Sequence, residues 1–371
     1  MMTPGSLRGE LQKIVDADRL SLYCVLLLIA VGVISIYSAL AGKGDTALHF
    51  AFRQVAWAVM GVAAFMATFV AGHERLLKYS YWIYGISIIL LSAVLAAGIT
   101  AKGATSWFDF GAFRFQPAEP AKVALALVLA SFLTRYPPRG LVNIAGALGL
   151  SSILCVLVLL QPDLGTVAVY AVMIFTALVM AGAPKKYLLV MIGTVLGALP
   201  VGWSMLKEYQ KLRMLVFINP SLDPLGAGYN VIQSRIAVGA GGLLGKGFLE
   251  GSQSKLHFLP EPHTDFIFSV FSEEFGFLGS SFVIVLFGVI LWRMIRTALR
   301  TDDPRGKILV GSLSAWIWVQ VFENVAMSVG IAPVTGLALP FISYGGSSLV
   351  SLGLALGLIQ SVHAASRKQF E

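Results

Sequence analysis

One carboxylate, Asp265, stands between the polar run Glu261-Pro262-His263-Thr264 and the apolar run Phe266-Ile267-Phe268, where a long loop enters an apolar helix. An ionised acid at a membrane edge is costly to desolvate. Its pKa is readily lifted toward the working range of a general base, which suits chemistry on a lipid-linked substrate. Asp at a loop-to-helix junction also satisfies free N–H groups and complements the helix dipole. Cap and base therefore both fit this stretch.

Other polar groups recur where the chain is otherwise apolar. Glu119 and Lys122 are three residues apart at the start of a helix, after Pro117 and around Pro120, so they share a face and can pair. Inside an apolar helix such a pair costs several kcal/mol of desolvation per ion unless compensated, which favours a functional reason for it. Asp163, in Gln161-Pro162-Asp163-Leu164-Gly165, reads first as turn chemistry. The uncharged stretch 331–346 leads through Pro340-Phe341-Ile342-Ser343-Tyr344-Gly345-Gly346 to Ser347 and Ser348. Irregular backbone of this kind is tolerated at membrane depth where it is buried in protein or lines a wet cavity. Over 229–247, Val231-Ile232 and Ile236-Ala237 mark an amphipathic helix running into Gly239, Gly241, Gly242, Gly245 and Gly247. It can lie in the interface, and its Gln233, Ser234, Arg235 and Lys246 can also grip an anionic head group. Glu323 and Asn324 fall deep in a later apolar run and read as interhelical hydrogen-bonding residues away from an outer site. Glu273 and Glu274 follow Asp265 by about two and a half turns and read as support for their helix. His257 and His263 lack metal-ligand spacing.

The elements that must position these groups are membrane helices. Of 371 residues, 57% are hydrophobic and only 12% charged, with mean hydropathy +0.80, which excludes a water-soluble globular domain. The net charge of +8 is distributed between apolar runs instead of forming one basic patch, so its counter-charges are anionic lipids and nucleic acid is excluded. Cys24 and Cys155 lie within apolar runs and promise neither a disulfide nor a thiolate metal site. The chain is expected to be an all-α polytopic membrane protein. Ten spans fall near 20–41, 54–72, 79–98, 119–135, 141–160, 164–182, 187–206, 266–292, 308–330 and 347–364, with a large outer loop at 207–264. Ala39-Leu40-Ala41 faintly resembles a cleavage site, but the preceding segment is long enough to be a retained helix. Arg75 and Lys78, Arg135 and Arg139, Lys185 and Lys186, and Arg293 to Lys307 mark the even connections. Arg8, Lys13, Arg19, Arg367 and Lys368 mark the ends. The positive-inside rule then places both termini in the cytoplasm and the odd connections outside.

Several runs together resemble the SEDS family (shape, elongation, division, sporulation). They are Arg114-Phe115-Gln116-Pro117-Ala118-Glu119-Pro120-Ala121-Lys122, Gln161-Pro162-Asp163-Leu164-Gly165-Thr166, Gly226-Ala227-Gly228-Tyr229 with Gln233-Ser234, His263-Thr264-Asp265-Phe266-Ile267-Phe268, Glu273-Glu274-Phe275-Gly276, and the run from Pro340 to Ser348. They occur in order over essentially the whole chain. Gly245-Lys246-Gly247, Gly251-Ser252-Gln253-Ser254 and Phe258-Leu259-Pro260-Glu261 are most similar to the elongation branch. Ser106 stands where some relatives carry Arg, so position 106 is not read as a phosphate contact.

The resemblance implies a peptidoglycan glycosyltransferase of the bacterial inner membrane that polymerises lipid II on the outer face. Asp265 would be catalytic, and Glu119, Lys122 and Asp163 would line the central cavity. For the pyrophosphate, Lys122, Arg114, Arg213, Arg235, Lys246 and Arg53 are the candidate cations, and Gln233, Ser234, Ser343 and Ser347 the candidate polar contacts. A divalent cation, Mg or Mn, could accompany the pyrophosphate, although the sequence holds no dedicated ligand cluster. The implied partners are a class B penicillin-binding protein and other elongation-complex membrane proteins. A flippase of the same precursor is the competing reading, and a scaffold for cell-wall enzymes a third.

Overall fold

The computed structural model describes residues 16–101, 104–111, 113–206, 208–224, 226–255, 258–259 and 261–367. Arg8, Lys13, His257 and Lys368 lie outside them. The helices are α1 (Arg19–Ala39), α2 (Asp45–Ala71), α3 (His73–Lys78), α4 (Ser80–Ala97), α5 (Ala118–Arg135), α6 (Leu141–Leu160) and α7 (Leu164–Met180). They continue with α8 (Lys185–Met205), α9 (Glu208–Ile218), α10 (Ala227–Ala240), α11 (Ser252–Lys255), α12 (Ile267–Arg300), α13 (Pro304–Val329) and α14 (Gly346–Arg367). Eight of these are long and apolar enough to cross a membrane, which makes this a multi-pass membrane protein. Two further helices coincide with expected spans but differ in kind. α7 has 17 residues, and α5 carries Glu119, Lys122 and Arg135 within 18.

The all-helical expectation needs a correction. Between α4 and α5 the chain forms a small antiparallel sheet in the order β1 (Ile99–Ala101), β2 (Ala104–Asp109), β3 (Arg114–Phe115). Strands this short give no alternating pattern long enough to read against the glycines around them. Helix limits also moved. Arg53 lies inside α2 and Arg293, Arg296 and Arg300 inside α12, whereas the sequence predicts them in connections or at span edges. Long basic side chains can belong to a helix and still reach its polar end. Arg293 does so by pairing with Asp18 at 2.7 Å.

The centre of the bundle is built from helices that are apolar nearly all round. α5, α13 and α14 are mostly buried, whereas α8 carries no buried residue among those described. α14 packs along α2 at backbone distance, because a Cβ at Gly353 would collide with the carbonyl of Gly61.

α12 is broken at Gly276, where φ is 63° and ψ is −162°. The break removes the helical bonds that the N–H groups of Phe277 and Leu278 would have made to the carbonyls of Glu273 and Glu274. The glycine-rich loop after α10 replaces them. Lys246 N–H and Gly247 N–H each donate to those carbonyls at 3.0 Å, while Phe277 N–H donates to Gly242 O at 2.8 Å and Leu278 N–H to Leu243 O at 3.1 Å. The Glu273 side chain completes the junction by accepting from the Ser252 N–H, the Ser252 hydroxyl, the Gln253 N–H and Lys246 Nζ. Gly276 adopts a backbone conformation that is essentially restricted to glycine, and a Cβ there would collide with Gly245 N. Gly276→Ala is expected to cost about 1–3 kcal/mol and lower the melting temperature of the detergent-solubilised protein. An unchanged melting curve would refute this account of the junction.

Candidate active site

The N-cap position of α12 falls on Phe266, so Asp265 sits one residue before the cap, in a turn closed by Thr264 and Phe266 N–H groups on Glu261 O. This turn is attached to the uncharged connection between α13 and α14. Ser343 Oγ donates to Thr264 O at 2.7 Å, and Tyr344 N–H donates to His263 O at 3.0 Å. Asn324, buried in α13, donates through Nδ2 to Asp265 O at 3.0 Å and to Leu337 O at 2.8 Å. Gln54 of α2 adds a bond from Nε2 to Ser343 O at 3.2 Å. The Asp265 carboxylate points toward Gly336, where a Cβ would lie 3.8 Å from Oδ2. The rings of Phe50, His263 and Tyr344 pack beside the turn, with centroids 4.9–5.8 Å apart.

The second half of the site surrounds the start of α5. Lys122 Nζ donates to Glu119 Oε1 at 2.6 Å, with Lys122 wholly buried and Glu119 nearly so. The same ammonium lies over the Trp316 ring, 4.9 Å from its centroid. Asp163 caps α7, accepting from Thr166 N–H at 2.9 Å and Thr166 Oγ1 at 2.8 Å, and it also accepts from Gln116 Nε2 at 3.4 Å. Burial pushes its carboxyl above the ordinary range, against the opposing Thr166 bonds and the nearby Lys122 charge. Ser347 accepts from Gln116 N–H at 3.1 Å and donates to Arg114 O at 3.3 Å. The Arg114 guanidinium is exposed and pairs with Asp109 at 3.3 Å.

Glu119, Lys122, Asp163, Gln116, Arg114 and Ser347 thus form one group, and Asp265 and Ser343 a second. The connection between α13 and α14 ties them together: Gly165 in the first turn of α7 lies against Thr335 and Leu337. The remaining candidates are placed differently. Ser234 is buried between α10, α12 and α13, bonded to Ser269 Oγ at 2.7 Å and to Ser328 O at 2.8 Å. Gln233 is half-buried and Arg235 exposed, with Arg235 donating to Gly330 O at 2.9 Å. Lys246 is engaged by Glu273 at 2.7 Å and by Ser252. Arg213 is exposed on α9, and Arg53 is half-buried on α2. Sequence reasoning missed the scaffolding roles of Gln116 and Gln54. It noticed Asn324 without its partner; a lone buried amide in an apolar helix was the available signal. Among the described residues no group of three or more His, Cys, Asp or Glu side chains is placed to hold a metal ion.

The family described as "Cell cycle protein", FtsW/RodA/SpoVE, matches residues 18–368. "Peptidoglycan glycosyltransferase MrdB" of Escherichia coli K12 is 43% identical over 284 residues, covering 76% of this chain and 77% of that protein. Stage V sporulation protein E of Bacillus subtilis is 39% identical, covering 94% and 98%. Among solved structures, a chain described under "Structural coordination of polymerization and crosslinking by a peptidoglycan synthase complex" superposes with TM-score 0.80 at 34% identity, covering 94% of this chain and 97% of that one. Rod shape determining protein RodA of Thermus thermophilus superposes with TM-score 0.71 at 29% identity, covering 96% and 98%. A single match extending over nearly the whole chain, supported by similar full-length folds, establishes that the protein belongs to the FtsW/RodA/SpoVE, or SEDS, family.

Proposed function

We propose that this protein is a peptidoglycan glycosyltransferase that polymerises lipid II on the outer face of the bacterial cytoplasmic membrane during elongation. The observation that carries the reading is the placement of Asp265. In a chain of this family, an acid two residues before a membrane helix is held through its backbone carbonyl by Asn324. The 4-hydroxyl of an acceptor GlcNAc attacks C1 of the donor MurNAc, and Asp265 takes the hydroxyl proton. As the new C–O bond forms, the bond from C1 to the pyrophosphate oxygen breaks, and its electron pair leaves with undecaprenyl pyrophosphate. Lys122, fixed by Glu119, supplies a positive field from within α5 without needing to touch the substrate. Arg114, exposed on the small sheet and paired with Asp109, is the cation this reading assigns to the pyrophosphate from the solvent side. No step is assigned to a metal; a Mg or Mn ion would arrive with the pyrophosphate.

The same reading gives α5 and α7 the two remaining crossings of a ten-helix membrane domain, with both termini cytoplasmic and residues 207–264 outside. The similarity to a chain from a peptidoglycan synthase complex supports a class B penicillin-binding protein as partner within the elongation complex. The purified protein, incubated with fluorescent lipid II with and without a cognate transpeptidase, should produce a ladder of glycan polymers on a resolving gel. Absence of a ladder under both conditions, with precursor crossing vesicle membranes instead, would replace this reading with a flippase.

A further inference from the structure

The resemblance makes Ser343 a polar contact for the pyrophosphate, but its hydroxyl is already engaged. Ser343 is buried, with 5% of its surface exposed. Its Oγ accepts from Leu339 N–H at 2.8 Å and donates its one proton to Thr264 O at 2.7 Å. An anionic pyrophosphate oxygen only accepts, so it needs a donor that Ser343 no longer offers. The bond leads instead to the residue before Asp265, and Tyr344 N–H holds His263 O beside it at 3.0 Å. Residues 339–343 form a turn of their own, closed by the Ile342 and Ser343 N–H groups on Leu339 O at 3.3 and 3.0 Å. Within it Phe341 has φ 66°, a left-handed conformation that is unfavourable for a residue with a side chain. Such a conformation persists only where the surroundings over-determine it.

Two helices hold the turn. α1 meets it at backbone distance, because a Cβ at Gly32 would stand 2.6 Å from Ile342 O. α2 supplies Gln54, wholly buried, whose Nε2 donates to Ser343 O at 3.2 Å while its Oε1 is shut off from solvent without a hydrogen-bond partner. Burying an amide that is only half satisfied is unfavourable, and the bond it does make grips Ser343. The carbonyl of Ser343 is thus held from α2 while its hydroxyl holds the Asp265 turn. We propose that Gln54 and Ser343 are positioning residues for Asp265: Gln54 fixes Ser343 from α2, and Ser343 sets where the Asp265 turn stands relative to the acceptor hydroxyl. Neither side chain touches substrate. The inference rests on Asp265 being the base of the glycosyl transfer. A base must stand within hydrogen-bond reach of the proton it takes, and a displacement of about 1 Å can lower the rate about 10²-fold.

The test is the split between kcat and KM for lipid II polymerisation by the full chain with its transpeptidase, with kcat taken per folded protein. Ser343→Ala is expected to lower kcat about 10- to 100-fold and to leave KM within about twofold, since no ground-state contact is lost. Gln54→Met keeps the length of the side chain without its donor and should lower kcat by at least about threefold, again at constant KM. Ser343→Thr, which keeps the hydroxyl, should recover most of the kcat lost in Ser343→Ala. A wild-type kcat in either folded variant, Ser343→Ala or Gln54→Met, would overturn the proposal. So would a raised KM at unchanged kcat, which marks a substrate contact. If Ser343→Ala does not fold, Gln54→Met decides alone, because it leaves the Ser343 hydroxyl in place. A structural role alone would lower the melting temperature and leave kcat per folded protein unmoved. Asp265→Asn runs alongside: normal turnover in that variant would remove the underlying reading, whereas a dead Asp265→Asn beside a normal Ser343→Ala would remove the positioning alone.

Discussion

Asp265→Asn is expected to abolish glycan polymerisation while leaving the melting temperature within a few degrees of wild type. The two properties are expected to separate because the backbone of this turn is held by bonds to its carbonyls, while the proposed chemistry belongs to the carboxylate. Ser343, Tyr344 and Asn324 bind the carbonyls of Thr264, His263 and Asp265, and none of these bonds needs the carboxylate. An amide of the same shape fills the same space beside Gly336 but cannot accept a proton at neutral pH. General-base catalysis contributes about 10²–10⁴-fold, so the polymer ladder should disappear at ordinary enzyme concentrations. Fluorescent lipid II on a gel and a thermal-shift measurement on the same preparation check both halves. Normal polymer from the Asn variant would remove Asp265 as the base.

The second large effect concerns the ion pair inside α5. Glu119→Ala leaves the Lys122 ammonium wholly buried with its carboxylate partner gone, and Lys122→Ala does the reverse to Glu119. Breaking a buried pair by removing one partner costs about 3–5 kcal/mol. Each single variant should therefore lose much of its thermal stability and most of its activity. The double variant removes both charges, so its stability loss should fall well short of the sum of the two. Thermal melts of all four proteins complete the cycle. Additive losses would mean that the residues act independently despite a separation of 2.6 Å. The Trp316 ring makes Glu119→Ala the milder single change, since part of the attraction on the ammonium survives there.

How much of this was legible in the sequence depended on the range of each signal. Apolar length announces a span on its own, so the long helices could be located from composition, and the Glu119–Lys122 contact follows from helical spacing within one element. The β1–β3 sheet was missed because its strands are too short for a pattern. The limits of α2 and α12 lie beyond those the sequence predicts because basic residues mark expected ends, yet long side chains let them lie within helices. Contacts between distant segments were illegible. Nothing local says that the Asn324 amide meets the Asp265 carbonyl 59 residues away, or that Lys246 pairs with Glu273.

That connection carries a consequence for accuracy. The turn bearing Asp163 leans on Thr335 and Leu337 through Gly165, and the turn bearing Asp265 is tied through Asn324 to the carbonyl of that same Leu337. The spacing between the two acids is therefore set by a short uncharged length of chain and not summed over the helices in between. The two acids thus share one reference point, the peptide at Leu337, and a change there would alter their separation directly.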